Sequence, residues 1–180
     1  MIRPRTCAVV LTAMAVSMLA SAQQDKSKRP SPPGSAECKF ADGKTVRIDY
    51  SRPSMKGRKI YGGLVPYHKE WRTGANEATT FVAGANLDVG GAKVPAGHYT
   101  LFTIPSQKQW TLIISKKTGE WGIPYPGKGE DQARAPMRSE ELSTPVEQFT
   151  ISFENTSPEA CTLRMDWETT RAEVSVREQK

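Results

Sequence analysis

Two histidines and three cysteines are all that the 180 residues offer to metal or nucleophile chemistry, and their placement removes most of it. There is no H-E-x-x-H motif, no closely spaced histidine pair and no cysteine cluster, so no metal site is expected. The missing C-x-x-C spacing excludes a thioredoxin-like redox pair. No G-x-S-x-G elbow accompanies His68 or His98, and no glycine-rich phosphate loop opens a helix, so neither a serine triad nor a nucleotide cofactor is expected. Long apolar runs are also lacking. Residues 8–20 form a run of about 13, short of the roughly 20 helical residues that cross a bilayer, and no membrane span is expected once that segment is removed. Helical periodicity and internal repeats are absent as well.

That apolar run follows Arg3 and Arg5 and ends in Ala20, Ser21 and Ala22, the pattern of an export signal over residues 1–22 cut after Ala22. The expected destination is the periplasm or the exterior. Residues 23–36 (QQDKSKRPSPPGSA) are polar and proline-rich and read as a flexible leader, and residues 37–180 as a single domain. Cys7 leaves with the signal. Cys38 and Cys161 remain, in phase with Phe40 and with Leu163, Met165 and Trp167, so both point at a core. In an oxidising compartment they form a disulfide or, failing that, two buried thiols.

Charge is unevenly placed. The net charge is +6, and between positions 52 and 72 six basic residues (Arg52, Lys56, Arg58, Lys59, Lys69, Arg72) face one acidic residue, Glu70. A pI near 9.3 raises the question of nucleic acid. Export, and the lack of any nucleic-acid motif, argue against such a partner.

Period-two alternation dominates the rest. Val46, Ile48 and Tyr50 are one inward-facing series; Trp110, Leu112 and Ile114, then Phe149, Ile151 and Phe153, then Ala172, Val174 and Val176 repeat it. Gly90-Gly91 between 87–89 and 92–94 marks a tight hairpin of the primed type. About nine strands of 4 to 9 residues predict an all-β fold, an antiparallel β-sandwich or flattened barrel with one long irregular loop over residues 51–77. Residues 117–131 are also irregular. Trp110, Trp121 and Trp167 are expected in the core.

Functional expectations concentrate in the long loop. Arg58 and Arg72 can fork onto an anion, and Tyr61, Tyr67 and Trp71 supply flat apolar faces. Asn76 and Glu77 complete the candidate ligand-binding set; the ligand is small and anionic or polar, or the partner belongs to the cell envelope. The same residues can equally be structural, with Trp71 plugging the barrel end, Asn76 making a turn and Glu77 pairing with Arg72. A hydrolase using Glu77 and Asp49, or His68, as acid and base is a further alternative. So is a purely structural module that pairs through an edge strand. Asp131 and Arg134 read as a surface ion pair.

The segment 57–80 (GRKIYGGLVPYHKEWRTGANEATT) continues into Gly90-Gly91, Val94-Pro95-Ala96-Gly97, residues 99–105 and 110–113, Trp121-Gly122 and residues 145–153. Over roughly residues 37–176 it resembles the bacterial exported family of domain of unknown function 2911. The resemblance implies a secreted, all-β domain and carries no established activity, substrate or cofactor. His68 stands where the family usually has another residue, which counts against a catalytic imidazole.

Overall fold

A computed structural model describes residues 25–180, so the expected export signal and its cleavage position lie outside the described residues. Nine strands make up nearly all the regular structure: β1 (Pro33–Lys39), β2 (Thr45–Ser51), β3 (Thr79–Ala83), β4 (Leu87–Val89), β5 (Ala92–Val94), β6 (Gly97–Ile104), β7 (Gln109–Ser115), β8 (Asp131–Glu154) and β9 (Ala160–Glu178). They join in one antiparallel sheet of order β1-β2-β3-β6-β7-β8-β9-β4-β5, which is not closed. The all-β expectation holds. Among the described residues, no helix is long and apolar enough to cross a membrane.

The sheet becomes two-layered because its longest ribbon bends. The first part of β8 pairs with β7, and the rest pairs with β9 through register shifts at Glu141/Val146 and Val146/Thr150. Bulges bend and twist a ribbon, and Pro145, which has no N–H to give a ladder, sits in the shifted stretch. The far half of β8 is thereby brought over β2. Tyr50 Oη donates to the Ile151 carbonyl at 3.3 Å and accepts from the Ile151 N–H at 2.8 Å. Cys38 on β1 and Cys161 on β9 are disulfide-bonded across the same gap, with Cα atoms 6.6 Å apart. Between the layers lie Phe40, Ile48, Phe81, Leu101, Leu112, Phe149 and Trp167, each sealed from solvent.

The Gly90-Gly91 hairpin forms as its sequence requires. Both residues have positive φ, 57° and 90°, the pair of values a type I′ turn needs. A Cβ at Gly90 would also lie 2.7 Å from Val174 Cγ2, so glycine is fixed there by space as well as by conformation.

Three features depart from the periodicity reading. The two last strands are far longer than 4 to 9 residues, at 24 and 19. Residues 132–147 carry no sequence-based assignment because Pro136 and Pro145 punctuate them and Ala133 and Ala135 give only a faint apolar beat. Strand β1 begins at Pro33 and takes in Gly34, Ser35 and Ala36, which composition alone puts in the leader. Backbone pairing with β2, Pro33 opposite Ser51, orders them without an apolar pattern. Trp121, expected in the core, is 56% exposed. It stands in the connection after β7, on no strand, and its ring is covered by a cation instead.

Candidate functional site

The loop between β2 and β3 has no regular strand, yet it is tied to the sheet along its length. Isolated bridges link Ser54 with Gln148 on β8 and Trp71 with Thr103 on β6, and a third, Tyr61 with Val65, closes the loop on itself. Its turns use positive φ at Lys56, Gly57, Gly62, His68, Thr73 and Asn76. The β-branched Thr73 is the unusual member. It is held there by its neighbours: Thr79 Oγ1 donates to the Thr73 carbonyl at 2.6 Å, and Thr73 Oγ1 lies 3.2 Å from Thr103 Oγ1.

Ile60, Tyr61 and Val65 carry the loop into the core. The Tyr61 ring is ringed by indoles, its centroid 4.8 Å from Trp110 and 6.2 Å from both Trp71 and Trp167. Burial pushes its phenol well above the ordinary range, and among the described residues its hydroxyl has no hydrogen-bond partner. Tyr61 is therefore a plug under the site and contributes nothing to its lining.

Above this plug opens a cleft of about 480 Å³. Trp71 and Trp167, stacked at 5.9 Å and 20°, form its floor. Pro53, Leu64, Val65, Pro66 and Ile123 make apolar walls, and Arg58, Lys69 and Arg72 stand round it with Glu70 as the one acidic side chain. Trp71 Nε1 donates to the Gly74 carbonyl at 3.1 Å, which fixes the indole plane. Arg72 lies over the Trp121 ring, 5.6 Å from its centroid, and donates to the Trp121 carbonyl at 3.3 Å. Desolvation draws its pKa down from the ordinary arginine value, far short of neutralising it. Gly122, at φ 83°, permits that approach: a Cβ there would come within 2.9 Å of Arg72 Cβ and Ala78 Cβ. Arg58 spends part of its fork on its own loop, donating from Nε to the Met55 carbonyl at 3.0 Å and from Nη2 to the Ser54 carbonyl at 2.7 Å.

The other sequence candidates lie elsewhere. Tyr67 lines a separate recess of about 270 Å³ with Ser106, Glu140 and Thr170. Asn76 is a tether, donating from Nδ2 to the Ser31 carbonyl at 3.0 Å and to Ser51 Oγ at 3.1 Å, and so holds Ser31 in the cleft wall. His68 is exposed in its turn, with its backbone N–H bonded to the Pro105 carbonyl. Asp131 and Arg134 form an ion pair at 2.6 Å. The Tyr125 hydroxyl also bonds Asp131, and burial first, then that carboxylate, push its pKa up to about 12.

Glu77 does not pair with Arg72. Both its oxygens accept from Arg29 Nη1, at 3.0 and 2.8 Å, and Lys26 Nζ approaches at 3.3 Å. The bond from Arg29 is the main reason its pKa falls to about 2. Glu77 and Asp49 do share a shallow recess of about 180 Å³, but Asp49 is bonded by Arg47, which lowers its pKa too. Both carboxyls are ionised near neutrality, so neither holds the proton a general acid must deliver.

The Arg29 latch makes a prediction. A carboxyl with a depressed folded-state pKa stabilises fully above its unfolded value, here 4.5, and that contribution is lost as the pH falls through about 2. Glu77→Gln releases the latch at neutral pH, so trypsin should cut after Lys26 and Lys28 roughly tenfold faster than in the parent. Equal cutting rates would contradict the latch.

Sequence reasoning missed the walls and half the floor. Leu64, Val65 and Pro66 lie inside the segment that drew attention, but nothing in the string says that Trp167, 96 residues beyond Trp71, completes the indole pair. No curated protein and no solved structure matches the chain. Residues 31–176 match the model of the family described as Protein of unknown function (DUF2911), and the chain belongs to that family.

Proposed function

We propose that the domain is a non-enzymatic binding module whose cleft takes a small anion with a flat apolar body, working in the oxidising compartment to which residues 1–22 send it. The observation that carries this reading is the coincidence, in one cleft, of a stacked indole floor with Arg58, Lys69 and Arg72 against Glu70 alone. A concave site with apolar walls and a few convergent polar groups is the ordinary form of a small-molecule site. The indoles supply dispersion and stacking; the cations supply the sign of charge. The disulfide supports an exported location. A recess whose two carboxylates are both ionised and held by basic side chains lends the hydrolase reading no support.

The test uses 2-naphthalenesulfonate as probe in a calorimetric titration. Saturable one-to-one binding is expected, and Lys69→Gln with Arg72→Gln should weaken it on the order of tenfold or more, since each removes a charge-assisted contact. Unchanged affinity in the double variant would overturn the assignment of the site.

A further inference from the structure

Three large apolar side chains stand out in water among the described residues: Leu64 at 49% exposure, Trp121 at 56% and Ile123 at 67%. They come from two connections far apart in sequence, and all gather at one mouth. Leu64 and Ile123 line the cleft, and Trp121 lies against Arg72, which lines it too. Scattered exposed apolar residues need no explanation, but a convergent group does.

Basic residues of the β2–β3 loop accompany them as a partial collar: Arg58 and Lys69 line the cleft with Leu64 and with Glu70 as the one acidic side chain, the Lys59 carbonyl accepts from the Leu64 N–H, and Lys56 belongs to the same loop. Lys56, Arg58, Lys59 and Lys69 are all exposed, and none is ion-paired with a described carboxylate. Exposed cations without a described carboxylate partner also occur elsewhere, at Lys39, Lys93, Lys108, Lys116, Lys128 and Arg177, so what sets this group apart is its place beside the exposed apolar side chains. Unmatched cations beside a protruding indole and two aliphatic side chains are complementary to an anionic lipid surface, where the apolar tips enter the headgroup boundary and the cations meet phosphates.

We infer that the mouth of the cleft, through Leu64, Trp121 and Ile123 with Lys56, Arg58, Lys59 and Lys69, docks on anionic phospholipid membranes. The cleft would then open toward the bilayer.

The experiment is flotation of the protein beginning at Gln23, which carries every described residue, with vesicles of phosphatidylcholine alone or equimolar with phosphatidylglycerol. Binding to the anionic vesicles is expected to exceed that to neutral ones on the order of tenfold, and to fall away at about 0.5 M salt as screening shortens the reach of the collar. Trp121→Ser with Ile123→Ser, and separately Lys56→Ser with Lys59→Ser, should each lower it several-fold with the melting curve unchanged. Should the first pair unfold the protein, brominated lipid gives a second readout: it should quench parent fluorescence, and Trp121→Phe should remove most of the quenching. Equal partition into both vesicle types, no binding by the folded parent, or quenching that survives Trp121→Phe would each overturn the inference. Failure on vesicles with naphthalenesulfonate binding intact removes the membrane inference alone; loss of naphthalenesulfonate binding with flotation intact removes only the ligand reading.

Discussion

Replacing Cys38 and Cys161 together by alanine is expected to lower the unfolding free energy by about 5 kcal/mol on the loop-entropy relation. The bond closes a sequence separation of 123 residues, most of the domain, so the unlinked unfolded chain gains nearly the largest entropy a single crosslink can withhold. The position adds a second effect. Cys38 and Cys161 are 1% and 2% exposed and join the edge strand β1 to the start of β9, strands well apart in the sheet order that face each other across the core. Alanine avoids burying a hydroxyl without a partner, so the measured loss reads the crosslink and a modest packing deficit. Urea unfolding of parent and double variant checks it. A loss below about 1 kcal/mol would mean that the layers hold their spacing without the bond and that the unfolded chain is already compact.

The second large effect is expected at Trp167. It is 1% exposed, stacks on Trp71, packs its ring 5.7 Å from Phe149, and donates from Nε1 to the Glu147 carbonyl at 3.2 Å. Trp167→Ala should lose about 3 to 5 kcal/mol, because large buried aromatics leave a cavity that their surroundings fill only in part. It also strips half the floor from the cleft, so naphthalenesulfonate binding should vanish even where the protein remains folded. Trp121 is the control. The same residue type at 56% exposure should change stability by no more than about 0.5 kcal/mol on substitution by alanine. Similar losses at both positions would contradict the division between core and rim.

Much of the fold was legible because strands that bury one face must alternate. The Val46 and Trp110 series, the glycine hairpin and the phase of Cys38 and Cys161 all follow from period two and turn chemistry. What was hidden is long-range or backbone-borne. β1 forms from Pro33, Gly34 and Ser35 because β2 offers a partner edge, which no local pattern announces. Arg29 reaches Glu77 across 48 positions, a closer partner than the Arg72 that sequence proximity suggests. Charge counting located the basic loop, and aromatic content marked it as special, yet the same loop split its candidates. Trp71, Arg58 and Arg72 face the cleft; Tyr61 is sealed beneath it, Tyr67 turns to another recess, and Asn76 and Glu77 secure the chain that walls it. Residue type gave the chemistry, while direction depended on left-handed turns at His68, Thr73 and Asn76, two of which no glycine or asparagine signalled.

The most direct measurement is a thermal-shift comparison of 2-naphthalenesulfonate with its uncharged analogue 2-naphthalenemethanol at one concentration, on the parent and on the Lys69→Gln, Arg72→Gln variant. A selective anion site predicts a rise in melting temperature with the sulfonate only, by mass action on the folded state, and its disappearance in the variant. Equal rises with both compounds, or a sulfonate effect that the variant retains, would mean that the cations round the indole floor do not choose the ligand.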